Sequence, residues 1–458
     1  MIFREMINFC LKIKIVMLIA VLFFSVYPKY AVANDDTRTV YYVNATSGSD
    51  SNNGKSLETP WRTINKVNST KFSPGDTVLF KCGNNWEENL VIPSSGTSTK
   101  PIFFGSYGIG DYPQLYRVSL WAGKKYVRIS KLNMKMREGA ALSIESGEDI
   151  VIDDCIIDGD HKSYNHAAVI YGLTKYGWAN AIVIKNSKFK DAGTVENPVC
   201  NLSINGLSHN ILIANNISYN ASDNNMQAYS NKAETGPYNV IFRGNELYNS
   251  RKAHGLEIGW NVHNSVVEKN RCYGNKICGL IVVNSHDNVI KNNIVYDNVE
   301  EMACYGESYN NLWLNNTILF GDRTVKGMWF RAKHGAGNVF MNNIVVGNNS
   351  NFPELIINGA EEVESDYNCF YDEKGTKFEY KNLIYTSLDS YQSMSNQDIH
   401  SIEKDPRLID EKYDLKSNSP CINAGITHLG VLDDFRGIER PQGVKYDIGA
   451  YEHVLKFE

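Results

Sequence analysis

An asparagine that closes a short apolar segment recurs through the middle of the chain. The recurring residues are Asn216, Asn245, Asn270, Asn293, Asn316 and Asn343, so the steps between them are 29, 25, 23, 23 and 27 residues. A period of roughly 20 to 50 residues indicates a repeat architecture, and strand-like segments without helical periodicity predict a β-solenoid. Asparagine suits its corner because it tolerates the left-handed backbone region and its amide can bond to neighbouring coils.

A second set of segments runs in phase with these asparagines and alternates apolar with polar residues, as half-buried strands do. Its apolar positions Leu256, Leu280, Cys304 and Met328 are spaced by 24 residues, which predicts that they stack in the core. The residues that follow them should point outward and form one row. The predicted row is Ser143, Ser203, Gln227, Glu257, Ile281, Tyr305, Trp329 and Ile356, flanked by Asn201, Asn205, Asn225, Tyr229, Glu307 and Arg331.

The first 33 residues have the pattern of a secretory signal peptide. Lys12 and Lys14 precede an apolar run at 15–26, and small residues up to Ala33 offer a cleavage site before Asn34. The run is shorter than the roughly 20 residues that span a bilayer. We therefore expect a secreted or periplasmic protein without stable membrane insertion.

The net charge and the cysteine content limit which partners and metals we expect the protein to bind. Residues 1–33 hold four basic residues and one acidic residue, so their removal moves the formal net charge from −5 to −8. Nucleic-acid binding needs a basic face, so we expect no nucleic-acid partner, and we expect a monomer. Eight cysteines remain after cleavage; disulfides are allowed in an exported protein, but no metal-ligand spacing of His and Cys supports a zinc site.

The two ends of the chain resemble those of a known group of proteins. The opening block contains Thr59-Pro60-Trp61-Arg62, and the closing block contains Ser419-Pro420-Cys421-Ile422-Asn423-Ala424-Gly425 and Asp447-Ile448-Gly449-Ala450-Tyr451-Glu452. With the coils between them, they resemble the secreted proteins of the pectate-lyase-like superfamily. The resemblance implies an all-β fold, a right-handed single-stranded parallel β-helix of about ten coils with capping segments at both ends.

The predicted organisation has four parts. Residues 1–33 are the signal peptide, 34–110 the N-terminal cap and first coils, 111–399 the β-helix with its asparagine ladder and substrate groove, and 400–458 the C-terminal capping segment. The fold does not choose the reaction, because the superfamily contains lyases, hydrolases, C5-epimerases and non-catalytic surface proteins.

A cluster of cations and carboxylates beside the predicted outward row indicates the site. The predicted catalytic residues are Lys252, His254, Arg251, Glu257 and Asp223. Aromatic side chains can stack on sugar rings, and polar ones can bond to hydroxyls. The predicted substrate-binding residues are Gln227, Asn225, Tyr229, Tyr305, Trp329, Arg331 and His334.

Several chemistries stay open for this cluster. In β-elimination on a uronic acid, a basic residue takes the C5 proton, and Asp223 with Glu257 could hold a Ca²⁺ that neutralises the substrate carboxylate. Asp223 is also the one ligand that carries over from a resemblance to the calcium segment of one pectate lyase family. Glycoside hydrolysis would instead pair Asp223 with Glu257, or Glu257 with Glu307. C5-epimerisation, which begins with the same proton abstraction, and non-catalytic glycan binding are further alternatives. A lyase needs the basic residues and a hydrolase does not, so we favour a lyase for a uronate-containing polysaccharide.

Overall fold

Short strands separated by tight corners build the whole molecule. The computed structural model describes residues 38–230, 236–332, 336–348, 352–359, 363–409 and 412–454, so the predicted signal peptide lies outside the described residues. The chain forms an all-β, right-handed parallel β-helix of about 11 turns, which confirms the predicted fold class. In the part of the chain that the structure describes, no helix is both long and apolar enough to cross a membrane.

The chain divides into an N-terminal unit, residues 38–240 and 250–252, and a C-terminal unit, residues 241–249 and 253–454. The strands of the N-terminal unit are β1 (Val40–Val43), β2 (Thr77–Lys81), β3 (Asn85–Val91), β4 (Ile102–Tyr107), β5 (Gln114–Leu120), β6 (Lys125–Ser130), β7 (Asn133–Lys135), β8 (Leu142–Glu145), β9 (Glu148–Asp153), β10 (Ile156–Asp158), β11 (Ala168–Gly172), β12 (Ala179–Lys185), β13 (Lys188–Lys190), β14 (Leu202–Gly206), β15 (Ser208–Ala214), β16 (Ile217–Tyr219) and β17 (Met226–Tyr229).

The boundary falls within β18 (Tyr238–Arg243). The strands of the C-terminal unit are β19 (Glu246–Tyr248), β20 (Leu256–Gly259), β21 (Val266–Glu268), β22 (Arg271–Tyr273), β23 (Cys278–Val283), β24 (Val289–Lys291), β25 (Ile294–Tyr296), β26 (Glu300–Gly306), β27 (Leu312–Leu314), β28 (Thr317–Leu319), β29 (Lys326–Ala332), β30 (Val339–Met341), β31 (Ile344–Val346), β32 (Leu355–Ile357), β33 (Glu364–Asp366), β34 (Cys369–Tyr371), β35 (Phe378–Tyr380), β36 (Leu383–Tyr385) and β37 (Ile402–Glu403). The helices are α1 (Ile64–Asn68) and α2 (Leu388–Ser395).

Each complete coil contributes one strand to each of three parallel sets. In the C-terminal unit, β21 pairs with β24, β22 with β25, and β20 with β23, and the following coils repeat these pairings. In the N-terminal unit, β9 pairs with β12, β10 with β13, and β11 with β14 in the same way. The antiparallel pair β35–β36 departs from this pattern.

The asparagine ladder forms as predicted within the C-terminal unit. Asn293 is fully buried, and its Oδ1 accepts from the backbone N–H and from Nδ2 of Asn270, both at 3.0 Å. Its Nδ2 donates to Asn316 Oδ1 at 3.0 Å and to the Val267 carbonyl at 2.9 Å. Asn343 continues the ladder to Asn368. In the N-terminal unit, the corner residue Asn216 accepts from the Ser187 N–H and donates to the Ile184 carbonyl.

At each corner, one residue adopts the left-handed backbone conformation and the next residue makes the ladder hydrogen bonds. The sequence analysis had predicted that a single asparagine would do both. The left-handed residue is the one before the ladder asparagine: Lys269 has φ 58°, and Asn292 and Asn315 have φ 53°. The first residue turns the chain, and the second turns its amide into the core. This explains why the motif ends in two asparagines in most coils.

Two further ladders escaped the sequence analysis. Asn288, Asn311 and Asn338 repeat the same bonding at the preceding corner of each coil, just before β24, β27 and β30. At the third corner, Asn275 Nδ2 donates to Asn298 Oδ1 at 2.9 Å, and Asn298 donates in turn to the carboxyl of Glu301 at 2.6 Å. All three corners of these coils are therefore closed by buried amides.

The predicted core positions are buried, but the sequence spacing gave Leu280 and Cys304 the wrong partners on the neighbouring strands. Leu256, Leu280 and Met328 are fully buried, as expected. However, Leu280 pairs with Met302, and Cys304 pairs with Val282 and Phe330. The register of β26 differs by two residues from the one that the spacing suggested, and a slip of two residues keeps a side chain on the same face.

The two ends are covered in different ways. The Thr63 side chain caps α1 by accepting from the Lys66 N–H at 3.1 Å, and Ile64 and Val67 of this helix are buried. At the other end, Tyr391 of α2 stacks on Phe378, with ring centroids 4.8 Å apart.

The closing segment of the chain runs along the side of the coils in the C-terminal unit. Lys291 Nζ donates to the Gly430 carbonyl at 2.9 Å, and Asn315 Nδ2 donates to the Asp447 carbonyl at 3.0 Å. Within the segment, the fully buried Arg440 and Glu452 form an ion pair of 2.7 Å. The segment thus covers apolar side chains that would otherwise face water, including Leu312 and Leu314.

Candidate functional site

Strands β8, β11, β14 and β17 bring outward side chains into one row of the N-terminal unit. Ser143 pairs with Val169, Val169 with Ser203, and Ser203 with Gln227. The row includes Val169, which the sequence analysis missed. Gln227 is only 8% exposed, and it bonds to Ser203 at 2.8 Å and to Asn224 at 2.9 Å. The row is therefore a covered, mostly polar floor of small side chains.

Two asparagines predicted on this outer face lie inside the molecule. Asn201 and Asn225 are fully buried, and Asn201 Nδ2 donates to Asn225 Oδ1 at 3.3 Å. The strand begins one residue later, at Met226, so Asn225 belongs to the corner before it. The predicted position of Asn225 on the outer face is therefore wrong, because the side chain is fully buried. Tyr229 is half-buried in the flanking row, and its role stays a prediction.

Arg251 is occupied by backbone carbonyls. Its Nη2 donates to the carbonyls of Ala192 and Gly193 at 3.0 and 2.6 Å, and its Nε donates to the Asn220 carbonyl at 3.0 Å. An arginine so engaged holds loops together. Since the guanidinium also stays charged at any working pH, Arg251 does not suit the role of a base.

Just before the outward row of the N-terminal unit, successive coils each contribute one side chain to a second line of neighbours: His166, Cys200 and Asp223. His166 Nδ1 accepts from the Cys200 N–H at 2.9 Å, and Cys200 Sγ lies 3.9 Å from Asp223 Oδ2. Burial raises the pKa of Asp223, and the charge of exposed Lys252 partly opposes this rise. Asp223 and Lys252 were predicted from the sequence, but their partners were not.

The C-terminal unit has an equivalent line of side chains: His254, Cys278, Glu300 and Lys326. His254 Nδ1 accepts from the Cys278 N–H at 3.1 Å, and Cys278 Sγ lies 3.3 Å from Glu300 Oε2. Lys326 Nζ lies 2.7 Å from Glu300 Oε1. Burial lowers the pKa of His254 to about 4, so its imidazole is neutral and already bonded at Nδ1. This makes His254 a poor base despite its place in the predicted catalytic set.

The outward row of the C-terminal unit follows the register of β20, β23, β26 and β29. Glu257 pairs with Ile281, Ile281 with Ala303, and Ala303 with Trp329. Tyr305 was predicted in this row, but it lies two residues further along, because β26 has the register shift described above. Tyr305 pairs with Arg331 in the flanking row.

This shift gathers five side chains, which we call the outer-face cluster: Glu300, Tyr305, Lys326, Trp329 and Arg331. The Tyr305 and Trp329 rings meet edge to face at 4.7 Å. Lys326 Nζ lies 3.2 Å from the centroid of the Trp329 ring, and the Arg331 guanidinium carbon lies 5.5 Å from it. Two cations thus share one aromatic ring, which is a favourable arrangement for both.

Electrostatics keep the phenol of the cluster protonated. Burial raises the pKa of Tyr305, and the charge of Glu300 raises it further, while Arg331 acts in the opposite direction. The hydroxyl is therefore a proton donor at neutral pH. Sequence reasoning found Tyr305, Trp329 and Arg331 but missed Glu300 and Lys326, which lie before the alternating segment that it used.

The remaining predicted residues have simpler outcomes. Glu257 is half-buried and Glu307 is exposed, and His334 lies outside the described residues. Across the described ranges, no group of three or more His, Cys, Asp or Glu side chains is placed to hold a metal ion. Asp223 and Glu257 belong to different units, so calcium binding by this pair stays a prediction.

Comparisons with known proteins support the fold. No protein-family model matches the chain. A stretch of 87 residues is 31% identical to a lacto-N-biosidase of Bifidobacterium longum subsp. longum and covers 18% of this chain and 5% of that enzyme. A stretch of 82 residues is 32% identical to a mannuronan C5-epimerase of Pseudomonas syringae pv. tomato and covers 18% of this chain and 15% of that protein. The chain therefore spans only a small part of either curated relative.

A solved structure matches nearly the whole chain. The structure of XylC in complex with xylose superposes with a TM-score of 0.65 at 13% identity, covering 91% of this chain and 99% of that one. At a sequence identity this low, the match shows only that the two chains share a fold. The resemblance to the β-helix proteins of the pectate-lyase-like superfamily is thus confirmed as a likeness of fold.

Proposed function

We propose that this protein acts on a uronate-containing polysaccharide outside the cytoplasm and cleaves it by β-elimination. The observation that carries the proposal is the outer-face cluster, in which Lys326 and Arg331 both lie against Trp329. An aromatic ring offers a surface for a sugar ring, and the Arg331 guanidinium beside it can neutralise a sugar carboxylate, whereas Lys326 is already paired with Glu300. A neutral polysaccharide would have no use for that guanidinium.

Elimination needs one group to take the C5 proton and another to protonate the leaving oxygen. When the C5–H bond breaks, its electrons form the C4–C5 double bond and the bond from C4 to the glycosidic oxygen breaks. The Tyr305 hydroxyl, which its raised pKa keeps protonated at neutral pH, is the proposed proton donor. Lys326 is the proposed base: Glu300, whose Oε1 lies 2.7 Å from Lys326 Nζ, takes the ammonium proton, and the neutral amine then accepts the C5 proton, while Arg331 binds the substrate carboxylate. In this scheme Lys326 replaces Arg251 and His254 as the base.

The roles can be separated by single substitutions assayed on polygalacturonate, polymannuronate and polyguluronate. Lys326→Ala and Tyr305→Phe should each reduce the rate at least about 100-fold while leaving substrate affinity nearly unchanged, because proton transfer occurs only on the way to the transition state. Arg331→Gln should chiefly raise KM. His254→Gln should keep most of the activity, and full activity in Lys326→Ala would reject this assignment.

C5-epimerisation is a second candidate, since the chain shares 32% identity over 82 residues with a mannuronan C5-epimerase. Epimerisation begins with the same proton abstraction and then returns a proton to the opposite face. Incubation in D₂O distinguishes the two reactions. An epimerase would place deuterium at C5 of an intact polymer, whereas a lyase would shorten the polymer and form an ultraviolet-absorbing double bond.

A further inference from the structure

A cation on the outer face of the N-terminal unit has no hydrogen-bond or ion-pair partner among the described residues. Arg117 lies on β5, between core residues that include the fully buried Val118. Its Nε is buried without a hydrogen-bond partner, and it makes no ion pair with any residue that the structure describes. Arginine is always charged, and an unpaired, half-buried charge is unfavourable. The arrangement therefore indicates an anion that comes from outside the chain.

The surroundings of Arg117 hold the guanidinium in place. Its terminal carbon lies 5.0 Å from the centroid of the Trp121 ring, which is 38% exposed. Gly139 leaves the space that the guanidinium uses, because a Cβ added there would lie 3.0 Å from Arg117 Nη1. Arg117 thus carries its charge beside an aromatic ring that remains open to solvent.

Two further polar groups face the same region. Ser119, on the same face of β5, has a buried Oγ without a hydrogen-bond partner. Tyr171 donates its hydroxyl proton to Glu145 Oε2 at 3.1 Å; burial raises the pKa of this tyrosine, and the charge of Arg117 acts in the opposite direction. A donor, an acceptor and a cation are therefore gathered beside one exposed indole.

We propose that Arg117, Ser119, Trp121 and Tyr171 form a sugar-binding subsite for a uronate residue. Arg117 would bind the carboxylate with two parallel N–H donors, the exposed face of Trp121 would stack on the sugar ring, and the buried Ser119 would line the floor beneath them. The subsite rests on the proposed function only in taking a polysaccharide as its ligand. It lies within the N-terminal unit and needs no residue of the outer-face cluster.

Calorimetric titration of the full-length chain with oligouronides tests the subsite. The background variant is Lys326→Ala, so that turnover does not consume the ligand. Arg117→Gln should weaken binding of oligouronides at least about tenfold, since a hydrogen bond to a charged group contributes about 1.5–3 kcal/mol. Trp121→Ala should weaken binding of oligouronides and of neutral xylo-oligosaccharides alike. Lys188→Gln, which removes an exposed cation from β13, is the matched control and should bind as the parent does.

The outcomes separate this inference from the proposed function. A selective loss in Arg117→Gln supports the subsite even if the wild type cleaves no uronate polymer. Equal affinities in Arg117→Gln and Lys188→Gln overturn the subsite, even where the wild type is an active lyase. Tight binding of sulfated neutral oligosaccharides, with no binding of oligouronides, would overturn the assignment of the ligand as a carboxylate. Unchanged thermal unfolding of the variants, followed by circular dichroism, establishes that they are folded.

Discussion

Replacement of one ladder asparagine should destabilise the β-helix far more than its small size suggests. Asn293→Ala removes two donated and two accepted hydrogen bonds at a fully buried corner. The backbone N–H of Asn270 would lose the partner that it has in the wild type. The amide of Asn270 keeps its bond to the Phe242 carbonyl, and Asn316 Oδ1 keeps the backbone N–H of residue 293.

The magnitude follows from these remaining bonds. A buried polar group without a partner costs about 1–3 kcal/mol, and one N–H is certain to lose its partner while the Val267 carbonyl and Asn316 each lose one bond. With the small cavity added, we expect a loss of about 3–5 kcal/mol in the free energy of unfolding. Urea unfolding followed by circular dichroism would show it as a lower midpoint.

An exposed asparagine provides the control for this substitution. Asn418 is solvent-exposed, so Asn418→Ala should change stability by less than about 0.5 kcal/mol. If Asn293→Ala and Asn418→Ala had the same unfolding midpoint as the wild type, the ladder would contribute nothing and the reasoning would be refuted.

Three other substitutions test separate parts of the structure. Leu280→Ala should lower the free energy of unfolding by about 2–5 kcal/mol through a cavity, and wild-type stability would show that the side chain is not in the core. Burial raises the pKa of Glu301 to about 8 from its usual 4.5; between these values the folded state holds a proton that the unfolded chain has lost, so stability should fall as pH rises through this window and level off above it. Glu301→Gln should flatten that pH dependence in thermal denaturation, and an unchanged slope would mean that Glu301 is not its source. Arg440→Met leaves the Glu452 carboxylate buried without its cation, so it should cost about 3–5 kcal/mol; a neutral result in the same denaturation assay would show that the pair does not hold the closing segment.

The solenoid could be predicted because its signal is local and repeated. The coils between residues 216 and 343 each have an asparagine at the same corner at a similar spacing, and identical side chains can bond across neighbouring coils. The register was harder to predict, since corners vary in length and alternation cannot detect a slip of two residues. Cys304 and Tyr305 were misplaced relative to their neighbours for this reason, although their faces were assigned correctly.

The site was predicted less well because its residues meet only across coils. Glu300 and Lys326 are 26 positions apart in the sequence, and nothing local links them. His254 and Arg251 look like catalytic residues in the sequence, yet the fold engages one with a backbone N–H and the other with three carbonyls. Arg117 was not singled out from the sequence, because the lack of a hydrogen-bond partner for its Nε can be recognised only in the folded structure.

The most direct test of the account is mass spectrometry of the products from defined uronate oligosaccharides incubated with the full-length protein. The account predicts shortened chains whose new non-reducing end lacks one water relative to a hydrolysis product, and it predicts their loss in Lys326→Ala. Shortened products that contain the added water, or unsaturated products that persist undiminished in Lys326→Ala, would contradict it.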